Sequence, residues 1–155
     1  MSASPIVVSP IDEAALAPAP ITPGWIVAGA PVARAAELSR SADGTAVSLV
    51  WDCTAGTFDW HFGVDETVHI LEGDVEVSTA GFAPRRLKAG DVALFRAGTT
   101  ARWHVPRYVR KLAFCRHALP QPLGFALRAF NRAKGLVRGT PAGMPTPQQA
   151  PAASR

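Results

Sequence analysis

Gly56-Thr57-Phe58-Asp59-Trp60-His61-Phe62-Gly63-Val64-Asp65-Glu66-Thr67-Val68-His69-Ile70-Leu71-Glu72-Gly73-Asp74-Val75 is the stretch whose reading decides the fold. Apolar and polar side chains alternate on both sides of a turn at Asp65, the period-two pattern of half-buried strands. On one side of the second run stand Glu66, Val68 and Ile70, and on the other His69. Outward from this stretch the same pattern recurs. Strands are predicted over Thr45 to Asp52, Thr57 to Phe62, Thr67 to Glu72, Val75 to Thr79, Arg85 to Leu87, Val92 to Phe95, Ala101 to Val105 and Val109 to Cys115. Ala42-Asp43-Gly44, Glu72-Gly73-Asp74, Ala80-Gly81 and Ala89-Gly90-Asp91 supply turn chemistry between them. That spacing is the pattern of a sandwich or barrel, so the chain reads as all-β.

A helix signal comes only after Pro120 and Pro122, where Leu123, Ala126, Leu127, Phe130, Ala133 and Val137 recur at steps of three and four. With Arg128, Asn131, Arg132 and Arg138 mostly on its other side, this is a short basic amphipathic helix. It is expected to lie over the β domain or a dimer partner, contact with a lipid surface being the alternative. Residues 1–20 and 139–155 are rich in Ala, Pro, Ser and Gly, bury little apolar surface, and are read as disordered tails. The predicted organisation is therefore a barrel domain at 21–118, a helical segment at 119–138, and a tail at each end.

The chain has 155 residues, 48% hydrophobic and 18% charged, which suits one domain with tails. Residues 21–118 hold 11 basic and 10 acidic side chains, whereas 119–155 hold five basic ones and no acid, so the excess positive charge belongs to the C-terminal part. A nucleic-acid surface would need that charge spread over the folded face, and no nucleic-acid partner is expected. No apolar run approaches the roughly 20 residues of a transmembrane helix, and no secretory leader pattern is seen. Cys53 and Cys115 form neither a zinc motif nor a disulfide framework, so a cytoplasmic location is expected.

The quoted stretch, with Leu87-Lys88-Ala89-Gly90-Asp91-Val92-Ala93-Leu94-Phe95-Arg96-Ala97-Gly98-Thr99-Thr100-Ala101-Arg102-Trp103, resembles the two signature motifs of the cupin superfamily. Asp59-x-His61, four residues, Glu66, six residues, Gly73 reproduces the spacing of the first motif. Gly90, Arg96-Ala97-Gly98 and Ala101 stand at the marker positions of the second. Trp51, Asp65 to Gly73, Gly90 to Val92, Phe95, Ala97, Gly98, Trp103 and Val109 to Lys111 are similar in order to the small cupins related to the ureidoglycine aminohydrolase cupin domain. The resemblance covers roughly Trp51 to Cys115. It implies a cupin-type double-stranded β-helix, a jelly-roll barrel, and leaves activity to the site.

What it implies about the site departs from the family at two of four ligand positions, Asp59 standing for the first histidine and Ala101 for the last. The inward set implied is Asp59, His61 and Glu66, read either as a metal-free polar cluster or as a weak site for manganese, iron, nickel or zinc, with no donor at Ala101. Trp103 shares the face of Ala101 and is expected at the barrel mouth, with Trp51 and Trp60 in packing. Of Arg110 and Lys111, adjacent on one strand, only one can point inward. His69 and His104 are expected on the outer face, His117 carries no motif, Asp65 is a turn residue, and the two cysteines are small buried residues.

Three functions are carried forward. The first is a homodimeric cupin binding a small polar molecule with Asp59, His61, Glu66, Trp103 and Arg110 or Lys111, where Glu66 or His61 serves as catalytic acid or base for hydrolysis or isomerisation. The second is a manganese-dependent aminohydrolase-like enzyme. The third is a non-catalytic interaction module that uses the basic helix.

Overall fold

A computed structural model describes residues 4–117 together with Ala126, Ala129, Phe130 and Arg132, which are helical. The rest of the predicted C-terminal helix and the tail at 139–155 lie outside the described residues. The chain divides into two units, residues 1–118 and 119–155. In the first, eight strands form one antiparallel sheet: β1 (Ala17–Pro18), β2 (Ile26–Gly29), β3 (Ala33–Arg40), β4 (Ala46–His61), β5 (Asp65–Thr79), β6 (Phe82–Lys88), β7 (Val92–Phe95) and β8 (Thr100–Arg116). Their order is β1-β3-β4-β8-β5-β6, with β2 on β4 and β7 on β5.

Three pairs of predicted strands are single long strands. β4 joins Thr45–Asp52 to Thr57–Phe62 through a register shift between Thr54 and Gly56, and β5 joins its two predicted runs through shifts near Gly73. β8 runs through Pro106, which stands where Tyr108 pairs with Thr54 and Val105 with Gly56. A bulge bends a strand without ending it, and it tolerates a proline because no ladder N–H is required there. The glycine at 73 is therefore a bend between two halves of one strand. It has φ +71, and a Cβ there would stand 2.0 Å from the Tyr108 carbonyl oxygen.

Bending brings one face of the sheet around a common interior. Phe58, Phe62, Val68, Ile70, Val75, Phe95, Ala101, Trp103, Val109 and Ala113 are all buried there. The aromatic side chains interlock: Phe58 stacks on Trp103 at 6.3 Å between centroids and Phe62 on Phe95 at 4.5 Å. Aromatic side chains bury about 150–250 Å2 each, so their placement dominates the core.

The segment before Pro20 is tied to the sheet, in contrast to the free tail expected from its composition. β1 pairs with β3, Ser9 Oγ donates to the Leu38 carbonyl at 2.7 Å, and Arg110 Nη2 donates to the Ile11 carbonyl at 2.8 Å. Composition does not register these anchors, because the segment contributes main-chain groups and its partners are distant in sequence. Among the described residues no helix is long and apolar enough to cross a membrane.

The close approach at Gly73 separates two kinds of glycine. Gly44 also has positive φ, +69, but has open space around its Cβ position. Gly44→Ala is expected to cost about 1–2 kcal/mol of conformational strain, and Gly73→Ala about 3 kcal/mol or more because the strand must also move. Urea denaturation of both variants measures the difference.

Candidate functional site

The polar centre of the barrel is an ion pair. Glu66 on β5 and Lys111 on β8 are buried, and Lys111 Nζ donates to Glu66 Oε1 at 2.6 Å with side chains 4% and 9% exposed for Lys111 and Glu66 respectively. Alternation places both. Glu66 lies on the face of Val68 and Ile70, and Lys111 on the face of Val109 and Ala113. Lys111 is the register neighbour of Trp51 on β4 and of Ile70 on β5, and Glu66 of Phe95 on β7.

Indole rings surround the ammonium. Lys111 Nζ lies 4.5 Å from the Trp103 ring centroid, 4.8 Å from that of Trp51 and 5.8 Å from that of Trp60. A desolvated cation over an aromatic face gains about 2 kcal/mol, which helps offset the cost of removing the charge from water. The Trp103 indole N–H is buried and has no hydrogen-bond acceptor among the described residues. Cys115, register neighbour of Glu66, has its thiol pushed up to about 11, by burial first and then by the Glu66 charge. Burial likewise raises Cys53 to about 12. Neither sulfur is a thiolate nucleophile near neutral pH.

The inward set expected from the motif is not the one the barrel assembles. Asp59 and His61 lie on the outer face of β4, so the expected cluster with Glu66 does not form. Asp59 accepts both hydrogen bonds of an Arg102 fork at 2.8 and 3.0 Å, and that guanidinium holds its carboxyl below the usual carboxylate range. His61 is exposed, shares a 2.8 Å hydrogen bond between Nδ1 and Thr100 Oγ1, and meets the edge of Trp25. The reason is the competing alternation Phe58, Trp60, Phe62. Burying three aromatic rings outweighs burying an aspartate and a histidine, and the two sets cannot share a face. That signal stands in the sequence beside the motif spacing.

Other expected residues are found as follows. Trp103 is buried under the mouth rather than at it, and Trp51 and Trp60 line the box around Lys111 as well as packing. Lys111 points inward and Arg110 outward, where it anchors Ile11. Ala101 faces inward with Trp103. His69 and His104 lie on the outer face, His104 Nδ1 sharing a hydrogen bond with Thr57 Oγ1. Asp65 Oδ1 accepts from the Ala97 N–H at 3.0 Å and so ties the turn before β5 to the loop before β8.

This donor set does not fit a resident divalent metal. Such an ion needs several convergent oxygen, nitrogen or sulfur donors, and Glu66 shares its interior with an ammonium and three indoles. Among the described residues no three His, Cys, Asp or Glu side chains converge. A groove of about 660 Å3 lies at the sheet's end and outer face against Ser48, Thr67, Leu94 and Phe114 and includes neither Glu66 nor Lys111. A groove of about 430 Å3 between β6 and β7 lies against Val77, Phe95 and Ala101 and likewise includes neither Glu66 nor Lys111.

Residues 40–113 match the family described as the EutQ-like cupin domain. The chain is a small cupin-domain protein of the EutQ and DUF861 type. It is similar to the putative ethanolamine utilization protein Q of Salmonella typhimurium, at 26% identity over 57% of this chain and 72% of that one, with a TM-score of 0.50. It is also similar to a DUF861-family protein of unknown function from Pseudomonas syringae, at 25% identity, covering 66% of this chain and 45% of that chain, with a TM-score of 0.61. The cupin thus spans less than half of that relative. The Clostridium difficile EutQ protein shares the fold at 19% identity over 57% of this chain and 64% of that one, with a TM-score of 0.50. No curated protein matches the chain.

Removing one member of a buried ion pair leaves the other charge uncompensated. Lys111→Met is expected to destabilise the cupin barrel by about 3–5 kcal/mol, and the double variant Glu66→Leu with Lys111→Met to recover most of that. Equilibrium denaturation of the wild type, both single variants and the double variant measures the coupling.

Proposed function

We propose that this cupin domain binds a small polar molecule inside the barrel, at the Glu66–Lys111 pair. The observation that carries the reading is the pair's setting: an ammonium making a 2.6 Å hydrogen bond to a carboxylate, boxed by indoles, beside a buried indole N–H that lacks an acceptor among the described residues. Buried polar groups are ordinarily satisfied. A ligand oxygen would satisfy the Trp103 N–H and share the remaining donors of Lys111. The chemistry available to this arrangement is proton transfer between Glu66 and the ligand, with Lys111 holding negative charge on the ligand in place, which suits a hydrolase or isomerase. His61, on the outer face, takes no part.

The aminohydrolase-like reading with manganese at Asp59, His61 and Glu66 is the lesser one, because those side chains point to different faces. The reading as an interaction module rests on the basic segment at 119–138, mostly outside the described residues. The two free thiols accord with the cytoplasm.

Thermal-shift screening with small carboxylates, amides and polyols tests the proposal on wild type, Glu66→Gln and Lys111→Met. Ligands that stabilise the wild type should lose most of that shift in both variants; equal shifts in all three proteins would overturn the reading. Elemental analysis runs alongside. Stoichiometric manganese, iron, nickel or zinc that is lost in Glu66→Gln would favour the metal-dependent enzyme instead. Loss of a protein partner on removing 120–155, with ligand shifts absent throughout, would favour the interaction module.

The same reading takes the cupin as a homodimer. Leu94, Thr67 and Phe114 are register neighbours on one outer face, with Val92 beside them, and Val92, Leu94 and Phe114 are exposed. Apolar surface gathered on one sheet face favours burial against a second copy. Sedimentation should show a dimer that Phe114→Asp converts to monomer.

A further inference from the structure

The groove between β6 and β7 carries charge that the Glu66–Lys111 pair does not use. Its floor is apolar, made by Val77, Phe95 and Ala101 with Phe82 at the side, and two arginines, Arg85 and Arg96, line it with no acidic side chain. Arg85 is placed on the concave face by register. It pairs with Val77 on β5, which pairs with Trp103 on β8, while the next inward position on β6, Leu87, pairs with Val75. The adjacent Arg86 faces the other way and is neutralised by Asp74 at 3.0 Å. Arg85 and Arg96 make no ion pair among the described residues. An arginine on the apolar face of a sheet, with a second guanidinium lining the same opening and no counter-ion among the described residues, leaves two exposed charges available to an anion from outside the chain.

We propose that this groove binds a small amphipathic organic anion, a carboxylate carried on an apolar body. Guanidinium forks match the geometry of a carboxylate and form its stronger hydrogen bonds. The apolar body would rest on Val77, Phe95 and Ala101, where a bare inorganic anion would leave the floor unused. The volume of about 430 Å3 lies within the range of small-molecule sites. Ala101 is the small side chain that opens the floor, since its inward neighbours on β8 and across on β4 are Trp103 and Trp60.

Below the floor, Phe95 lies 5.5 Å from Trp103, and the Trp103 ring lies 4.5 Å from Lys111 Nζ. The anion's apolar end would thus sit one aromatic layer above the buried pair. The groove is a site apart from the Glu66–Lys111 pair, and its ligand is selected by Arg85 and Arg96.

Isothermal titration of the full chain with hexanoate, phenylacetate and the neutral phenylacetamide tests this, using wild type, Arg85→Gln, Arg96→Gln and, as an outer-face control, His104→Gln. Both arginines are exposed, so their variants should fold, and circular dichroism checks it. Both carboxylates should bind, phenylacetamide at least about tenfold more weakly, and each arginine substitution should weaken phenylacetate about tenfold. His104→Gln, on the outer face of β8, should leave phenylacetate affinity within about twofold. Carboxylate binding that is unchanged in both arginine variants but weakened in His104→Gln would overturn the groove proposal. Carboxylate binding unchanged in all three variants, or none up to about 10 mM, would also overturn it, leaving Arg85 as an edge-strand charge that discourages pairing between sheets.

Discussion

Phe58, Trp60 and Trp103 cannot be on the outside of this sheet, and the rest of the barrel follows from that constraint. Side chains alternate along a strand, so the choice of face for one residue is a choice for the whole strand. With Phe58 and Trp60 inward, Asp59 and His61 are outward. With Trp103 inward and the bulge at Pro106 passed, Val109, Lys111 and Ala113 are inward and Arg110 is outward. The polar contents of the barrel are thus a by-product of where its aromatic rings are buried.

That by-product departs from the ligand set that the motif resemblance implies. Where the motif would place donors for a metal, the barrel has a lysine paired with a glutamate under a lid of indoles. The long lysine stem packs along apolar neighbours while its ammonium meets the carboxylate and the ring faces. Such a pair contributes little net stability against an apolar replacement of the same shape.

The outer face shows the complementary economy. Asp52 is buried there, accepting hydrogen bonds from Arg34 and Tyr108, and Arg110 reaches over the neighbouring position to hold the Ile11 carbonyl. Arg110 and Lys111, one residue apart, therefore serve different structures: one fastens the N-terminal segment, the other charges the barrel interior.

The strands, their antiparallel all-β character, the cupin resemblance, and the outward placement of His69 and His104 were legible in residues 45–115, because strand periodicity and turn glycines are local properties. The face of β4 was legible only in part, since the motif spacing and the alternation Phe58, Trp60, Phe62 point opposite ways and the outcome depends on total buried area. Which glycine ends a strand and which bends it, which distant carbonyl receives Arg110, and which carboxylate receives Lys111 were decided by tertiary structure. Those partners are tens of residues away along the chain, and only the closed sheet brings them within hydrogen-bond reach.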